Sequence, residues 1–180
     1  MELPKRKVTR LKEWDYSTPG AYFLTICTAE KRCILSRIPI VGEGLAPPAV
    51  ELSEIGKIVE EQILDLPRRF PSVSLDKYVI MPNHVHLLIS LTGGEASGGA
   101  SPSPTAVDVV RAMKSISARQ CRARFGIYPL WQRSFHDHVI RGEKDYLEIW
   151  QYIDNNPARW AEDCYAPEEA ISKTIQSGVL

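Results

Sequence analysis

Two runs rich in β-branched and aliphatic residues, at positions 75–80 and 84–91, are separated only by residues 81–83, which read Met-Pro-Asn. Proline and asparagine favour turns, and parallel strands need a crossover of a dozen or more residues. So short a connection therefore predicts an antiparallel β-hairpin. An isolated hairpin is only marginally stable in water, so the rest of the chain must supply further strands or helices that cover it.

Periodicity elsewhere in the chain predicts the elements that accompany this hairpin. Alternating or β-rich runs indicate strands, and apolar residues recurring at three- and four-residue spacing indicate amphipathic helices. The expected elements are a strand over 21–28, a helix over 52–66 ended by Pro67, a helix over 109–122, a strand over 134–141 and a helix over 143–156 stopped by Pro157. The order βαββαβ followed by a helix predicts an α+β fold of the ferredoxin-like (RRM-like) type, with an antiparallel sheet.

Length and composition indicate a single folded domain. The chain has 180 residues, of which 44% are hydrophobic and 24% charged, as is usual for globular proteins. We expect one domain over residues 1–160, interrupted by a flexible loop of small residues at 92–105 and followed by an acidic tail at 161–180.

Cysteine usage and hydropathy bear on the compartment. The four cysteines form no C-x-x-C pair, and no run of 18 uncharged apolar residues or apolar leader segment is present. We therefore expect a cytoplasmic protein with reduced thiols and no membrane partner. The net charge of zero does not by itself mark a nucleic-acid binder, although the predicted second helix carries a basic outer face.

His84 and His86 are two residues apart in the predicted second strand of the hairpin, so both side chains point to the same face. Two imidazoles in this arrangement suit one metal ion. The spacing alone does not discriminate, because His136 and His138 repeat it, and an H-x-H triplet also occurs on exposed strands by chance.

Tyr152 and Asn156 are four residues apart on the predicted last helix and share a face. The pair is compatible with a nucleophile beside a metal ligand. It is equally compatible with an amphipathic core tyrosine followed by a helix stop at Pro157. Tyr146 is a competing tyrosine on the same helix.

Four blocks of sequence, taken together and in this order, resemble the REP-associated tyrosine transposases, which belong to the single-tyrosine HUH (histidine, hydrophobic, histidine) transposases. The resemblance extends over about residues 8–160. The blocks are residues 16–23 (YSTPGAYF), 78–88 (YVIMPNHVHLL), 131–138 (WQRSFHDH) and 152–157 (YIDNNP).

The resemblance implies a metal-dependent endonuclease and strand transferase acting on single-stranded DNA at or near palindromic, REP-like hairpins. It implies that His84, His86 and Asn156 bind Mg²⁺ or Mn²⁺, and that Tyr152 forms a 5′-phosphotyrosine intermediate. Basic residues on the second helix and around the last strand are expected to contact the DNA: Arg111, Lys114, Arg122, Arg133 and Arg141.

Two other functions compete with this one. A domesticated module would bind hairpin DNA without moving it. A ferredoxin-like RNA-binding or metal-sensing domain would make the histidines incidental, but the chain lacks the paired aromatic blocks that such RNA modules use for base stacking. The sequence leaves open whether the protein is a monomer or a homodimer. It also leaves open the role of the second histidine triplet, where we favour Asp137 and Arg141 for packing or DNA positioning and regard His138 as a neighbour of the site.

Overall fold

A computed structural model describes residues 18–39, 49–92 and 104–160. Most of the predicted flexible loop at 92–105 and the whole acidic tail at 161–180 lie outside the described residues. In chain order the elements are β1 (Gly20–Cys27), a short 3-10 turn (Ala29–Lys31), β2 (Ser36–Arg37), β3 (Glu51–Leu52), α1 (Glu54–Leu64), α2 (Leu66–Arg69), β4 (Val73–Ile80), β5 (His84–Leu91), α3 (Ala106–Phe125), β6 (His136–Val139) and α4 (Glu143–Asn155).

The main sheet has four strands in the order β4-β5-β1-β6, and every neighbouring pair is antiparallel. The predicted hairpin is the β4-β5 pair. β1 lies on the other side of β5, so α1 carries the chain across β5 and β4 runs parallel to β1. The α+β fold with an antiparallel ferredoxin-like sheet is therefore confirmed.

The central pair β1-β5 separates the two faces of the sheet. One face carries the large apolar side chains against α1 and α3 and forms the core: Tyr22, Leu24, Ile26, Val85, Leu87 and Ile89 are all fully buried. Because side chains alternate along a strand, the residues between them point to the opposite face. That face receives Phe23, Thr25, His84 and His86, and α4 packs over it.

Two predicted boundaries are wrong. The first helix ends at Leu64, with Asp65 as its C-cap, and Pro67 lies in the first turn of α2 instead of ending a longer helix. Proline is well tolerated in a first turn, because its missing N–H has no intrahelical partner there. The last strand is shorter than predicted, since β6 pairs only with residues 22–25 of β1.

Local sequence signals set the ends of α3. Thr105 Oγ1 accepts a hydrogen bond from the amide of Asp108, whose carboxylate accepts one from the amide of Thr105. This capping box satisfies amides that a helix start leaves unpaired. Gly126 ends the helix with a φ of 68°, which glycine adopts without steric cost. Within the described ranges, no helix combines the length and apolar character needed to cross a membrane.

The two-residue strands β2 and β3 were not predicted, and they hold the start of α1 against the connection after β1. Ser53 caps α1 and also donates to the carbonyls of Ile34 and Leu35. Gly56 lies so close to this segment that an added Cβ would be 2.0 Å from the carbonyl oxygen of Leu35. The contact is backbone to backbone, so no side chain is available to move aside.

Gly56→Ala is therefore expected to destabilise the fold by about 2 kcal/mol, as overpacking does, although Gly→Ala in an open helix stabilises by up to about 1 kcal/mol. Urea unfolding measures the difference. Glu61→Ala on the exposed side of the same helix is the control, expected to stay within about 0.5 kcal/mol of the parent. Equal stability of Gly56→Ala and the parent would contradict the close approach.

Candidate active site

His84 and His86 form a buried pair on the face of the sheet that carries α4. Both are almost completely inaccessible to solvent, and their Nε2 atoms are 3.0 Å apart. The imidazole planes meet at 70°, and the ring centroids are 4.5 Å apart. The two side chains that the H-x-H spacing predicts to share a face therefore converge on one point.

Asn83, the last residue of the hairpin turn, orients His84. Its Nδ2 donates to the carbonyl of Lys31, which can only accept, so its Oδ1 must face the Nδ1 of His84, 2.9 Å away. An amide oxygen cannot donate. Nδ1 of His84 therefore carries a proton, and in the neutral imidazole the lone pair is on Nε2, facing His86.

Thr25 plays the corresponding part for His86. The two residues are directly opposite each other in the β1-β5 pair, and Thr25 Oγ1 is 2.9 Å from Nδ1 of His86. A hydroxyl donates or accepts, so this contact is compatible with either tautomer. Burial, and secondarily the neighbouring His84, hold the pKa of His86 well below its usual value of 6.5. The ring is therefore neutral and able to serve as a ligand.

The pair fits a divalent metal ion. Two donors at right angles, each about 2.1 Å from an ion, are about 3.0 Å apart; tetrahedral donors at that length are about 3.4 Å apart. The 3.0 Å between the two Nε2 atoms is close to both separations. No group of three His, Cys, Asp or Glu side chains suited to a metal occurs in the described part of the chain, so a third protein donor would be of another type. Asn156, the residue predicted for this part, is buried at the C-cap of α4.

Tyr152 lies directly over the histidine pair. Its hydroxyl is 3.4 Å from Nε2 of His86, and its ring packs against Phe23 with an edge-to-face geometry at 5.8 Å. Tyr152 is 40% exposed, whereas His86 beneath it is 1% exposed. The tyrosine is thus partly accessible from outside, and its oxygen is next to a buried imidazole.

Tyr146 occupies a different environment. Its ring lies 6.0 Å from that of Trp150. Burial and the nearby Asp76 carboxylate raise its pKa, so a smaller fraction of its hydroxyl is ionised at neutral pH. Of the two tyrosines on α4, the geometry favours Tyr152.

The second histidine triplet lies on edge strand β6. His136 is opposite Thr25 and His138 is opposite Phe23, so both project towards the α4 face, while Asp137 is opposite Leu24 on the core side. His138 Nε2 contacts the carboxylate of Asp145 at 2.9 Å, and Asp145 also accepts from the amide of Arg141. These contacts join β6 to the first turn of α4.

The basic residues predicted to contact DNA divide between a groove and the rim of the sheet. The groove encloses about 530 Å³ between α3 and residues 128–135, and it includes Arg111, Lys114 and Arg133. Lys114 Nζ donates to the carbonyls of Gln132 and Arg133, which holds the segment in place. Beside the groove, the Arg122 guanidinium stacks over the exposed ring of Tyr128 at 5.0 Å.

This groove is connected to the histidine end of the sheet by hydrogen bonds. The amide of Gln132 donates to the carbonyl of Cys27, and Thr28 forms a bridge with Trp131. Cys27 is in turn the cross-strand partner of His84. The segment that lines the groove therefore extends the sheet beyond the histidine pair.

Several residues of the site carry no signal that the sequence analysis used. Thr25 and Phe23 join it only because β1 pairs with β5 in the observed register. Trp160 contributes a ring 6.0 Å from that of His84, just after α4. Asn83 belongs to the M-P-N motif, but its role towards His84 appears only once Lys31 is placed next to it.

Comparison with known proteins identifies the family. The family model described as "Transposase IS200 like" matches residues 54–156, more than half of the chain, including both histidines of β5 and all of α4. The chain belongs to the IS200-like transposase family. The family expected from the sequence motifs is thereby confirmed.

Two relatives of this IS200-like transposase chain are informative. An uncharacterised protein of Haemophilus influenzae is 33% identical over 171 residues, covering 88% of this chain and 91% of the relative. A solved structure of a REP-associated tyrosine transposase bound to a REP hairpin superposes with a TM-score of 0.54 at 21% identity, covering 78% of this chain and 67% of the other. At that identity the likeness shows a shared fold.

If the histidine pair holds a metal, His86→Ala will weaken Mn²⁺ binding by at least about tenfold, because one of the two convergent imidazoles is lost. Titration calorimetry with the purified full chain measures the affinity. His136→Ala removes an exposed histidine from the same face and is the matched control, expected to leave the affinity unchanged. Equal losses in both variants would place the metal elsewhere.

Proposed function

We propose that this member of the IS200-like transposase family is a metal-dependent endonuclease and strand transferase for single-stranded DNA, with Tyr152 as its nucleophile. The observation that carries the proposal is the position of the Tyr152 hydroxyl, on a partly exposed residue and 3.4 Å from one of two convergent, buried imidazoles.

A phenol has a pKa near 10 and is a poor nucleophile at neutral pH, so the reaction needs help in neutralising charge on the attacked phosphate. His84, His86 and Asn156 would hold a divalent ion, which supplies that electrostatic stabilisation when bound. The neutral ligand set suits an exchangeable Mg²⁺ or Mn²⁺, and its imidazoles favour Mn²⁺. Asn83 and Thr25 keep the imidazoles in place through their Nδ1 atoms.

The proposed bond changes are those of a reversible displacement at phosphorus. The Tyr152 oxygen forms a bond to the phosphorus, its proton passes to solvent, and the bond from phosphorus to the 3′-oxygen breaks. The products are a 5′-phosphotyrosine and a free 3′-hydroxyl. Because the phosphotyrosine retains the energy of the broken phosphodiester, another 3′-hydroxyl reverses the step, and strands are joined without ATP.

Hairpin DNA is the proposed partner. A protein of the same fold has been solved bound to a REP hairpin. In this chain, the groove beside α3 offers Arg111 and Arg133 for backbone phosphates, and it continues into the strand that ends beside His84. Arg122 with the exposed Tyr128, and Arg141 at the end of β6, extend the same basic rim. These residues are the proposed contacts to the backbone phosphates of the hairpin.

Incubating the full-length protein with a panel of labelled single-stranded DNA hairpins and Mn²⁺ should yield a covalent protein–DNA adduct on denaturing gels. Tyr152→Phe should abolish it, since the ring packing remains but the attacking oxygen is gone. Tyr146→Phe is the matched control and should retain it, because its hydroxyl faces Asp76. EDTA should also prevent the adduct.

Two outcomes would count against the proposal in different ways. An adduct that persists in Tyr152→Phe and disappears in Tyr146→Phe would move the nucleophile to the other tyrosine. Tight binding of hairpins with no cleavage of any would instead favour a domesticated hairpin-binding module, the alternative function that the same basic surface supports.

Arg133→Ala should weaken hairpin binding without changing its sequence preference, and the slope of log affinity against log salt should fall by about one, as for a lost phosphate contact. Fluorescence anisotropy between low and moderate salt measures both quantities. Arg68→Ala is the control, because Arg68 is highly exposed on α2 and paired with Asp65. A salt slope that is the same in the parent and both variants would remove Arg133 from the interface.

A further inference from the structure

A β-bulge in β4 places two oppositely charged side chains next to each other under α4. Leu75 pairs with Ile89, but the next pair is Lys77 with Leu88, so Asp76 is an extra residue. In a regular strand, residues 76 and 77 would point to opposite faces. Here Lys77 contacts α4, and Asp76 accepts a hydrogen bond from Ser90 on that same face.

Lys77 is the charged residue that contacts α4 directly. Its Nζ is 2.5 Å from a carboxylate oxygen of Asp154 and 4.3 Å from the ring centroid of Trp150. The Lys77 side chain is 19% exposed and the Asp154 side chain 56% exposed, so the lysine end of this contact is the one shielded from water and from salt.

The α4 residues that lie next to β4 form one flank of the helix. Tyr146, Trp150 and Asp154 recur every four residues, whereas Tyr152 projects from the opposite flank. Between the flanks lies Ile153, the one buried residue within α4, all of which is described. On the Tyr152 flank, the Tyr152 ring packs on Phe23 and Asp145 contacts His138 of β6. The rotation of α4 is therefore set jointly by these contacts and by those on its β4 flank.

We propose that Lys77 is a positioning residue: by holding one flank of α4, it helps to set the rotation that brings the Tyr152 hydroxyl against the histidine pair. The inference rests on the proposed function, because it assigns a purpose to that placement. It goes beyond that function by placing the control of the nucleophile in β4, a strand that contributes no residue to the proposed chemistry. The bulge is the local feature that turns Lys77 towards α4 beside Asp76.

The test compares Lys77→Met, which keeps the apolar stem over Trp150 but loses the charge, with Lys77→Arg, which keeps a cation. Asp154→Asn removes the same ion pair from the helix side. Lys144→Met is the matched control, since it makes the same substitution at a lysine of α4 whose side chain is 91% exposed. The readouts are the single-turnover rate of adduct formation, the affinity for the hairpin, and hydrogen exchange of residues 143–155.

We expect Lys77→Met and Asp154→Asn to slow adduct formation by at least about tenfold, with hairpin affinity within about twofold of the parent, because the nucleophile is misplaced while the DNA surface is intact. Lys77→Arg and Lys144→Met should react at nearly the parental rate. Amide exchange across α4 should accelerate in Lys77→Met and Asp154→Asn only.

A Lys77→Met variant that reacts as fast as Lys144→Met, or whose α4 exchanges no faster, would overturn the inference. An equal loss of reaction rate in Lys77→Arg would also overturn it, because that loss would indicate steric disturbance and not the loss of the charged contact. If the parent protein forms no adduct with any hairpin, the proposed function fails. The hydrogen-exchange comparison of the variants then still decides whether the contacts of Lys77 hold α4 in place.

Discussion

The antiparallel pairing of β1 with β5 is the interaction on which the rest of the molecule depends. In the observed register, each core residue of β1 alternates with a residue of the candidate site, and the same holds for β5. Burying Leu24 and Val85 therefore also presents Thr25 and His86 on the other face. A shift of one residue would exchange the two sets and place the histidines in the apolar core.

Burial gives the histidine pair its chemical character. The side chains of His136 and His138 on β6 form an exposed H-x-H triplet. They do not converge on one point, and they remain open to solvent. His84 and His86 are covered by α4 and Trp160, and Asn83 fixes the tautomer of one of them. The difference between the two triplets lies in their neighbours, because their spacing in the sequence is the same.

Much of the fold was predictable because its signals are local. The hairpin, the two long amphipathic helices and the last helix follow from turn residues, periodicity and capping. The short strands β2 and β3 were not, since two-residue elements have no periodicity, and Pro67 was misread because a helix stop and a first-turn proline look alike in sequence. For the site, the pattern predicted the histidines and Tyr152, which the structure brings together, whereas the role of Asn156 stays a prediction. The contributions of Thr25, Lys77 and Asp154 depend on strand register and a bulge, which no single segment of sequence encodes.

The hydrogen bonds that join residues 130–132 to the end of β1 bear on how far from its hairpin a DNA substrate would be cut. The segment that lines the groove and the strand that carries the histidine pair are both hydrogen-bonded to β1, at or next to Cys27. Under the proposed function, a stem held in the groove would be separated from the reacting bond by a constant number of nucleotides. The distance from hairpin to cleavage position would then be a property of the sheet, independent of the bases between them.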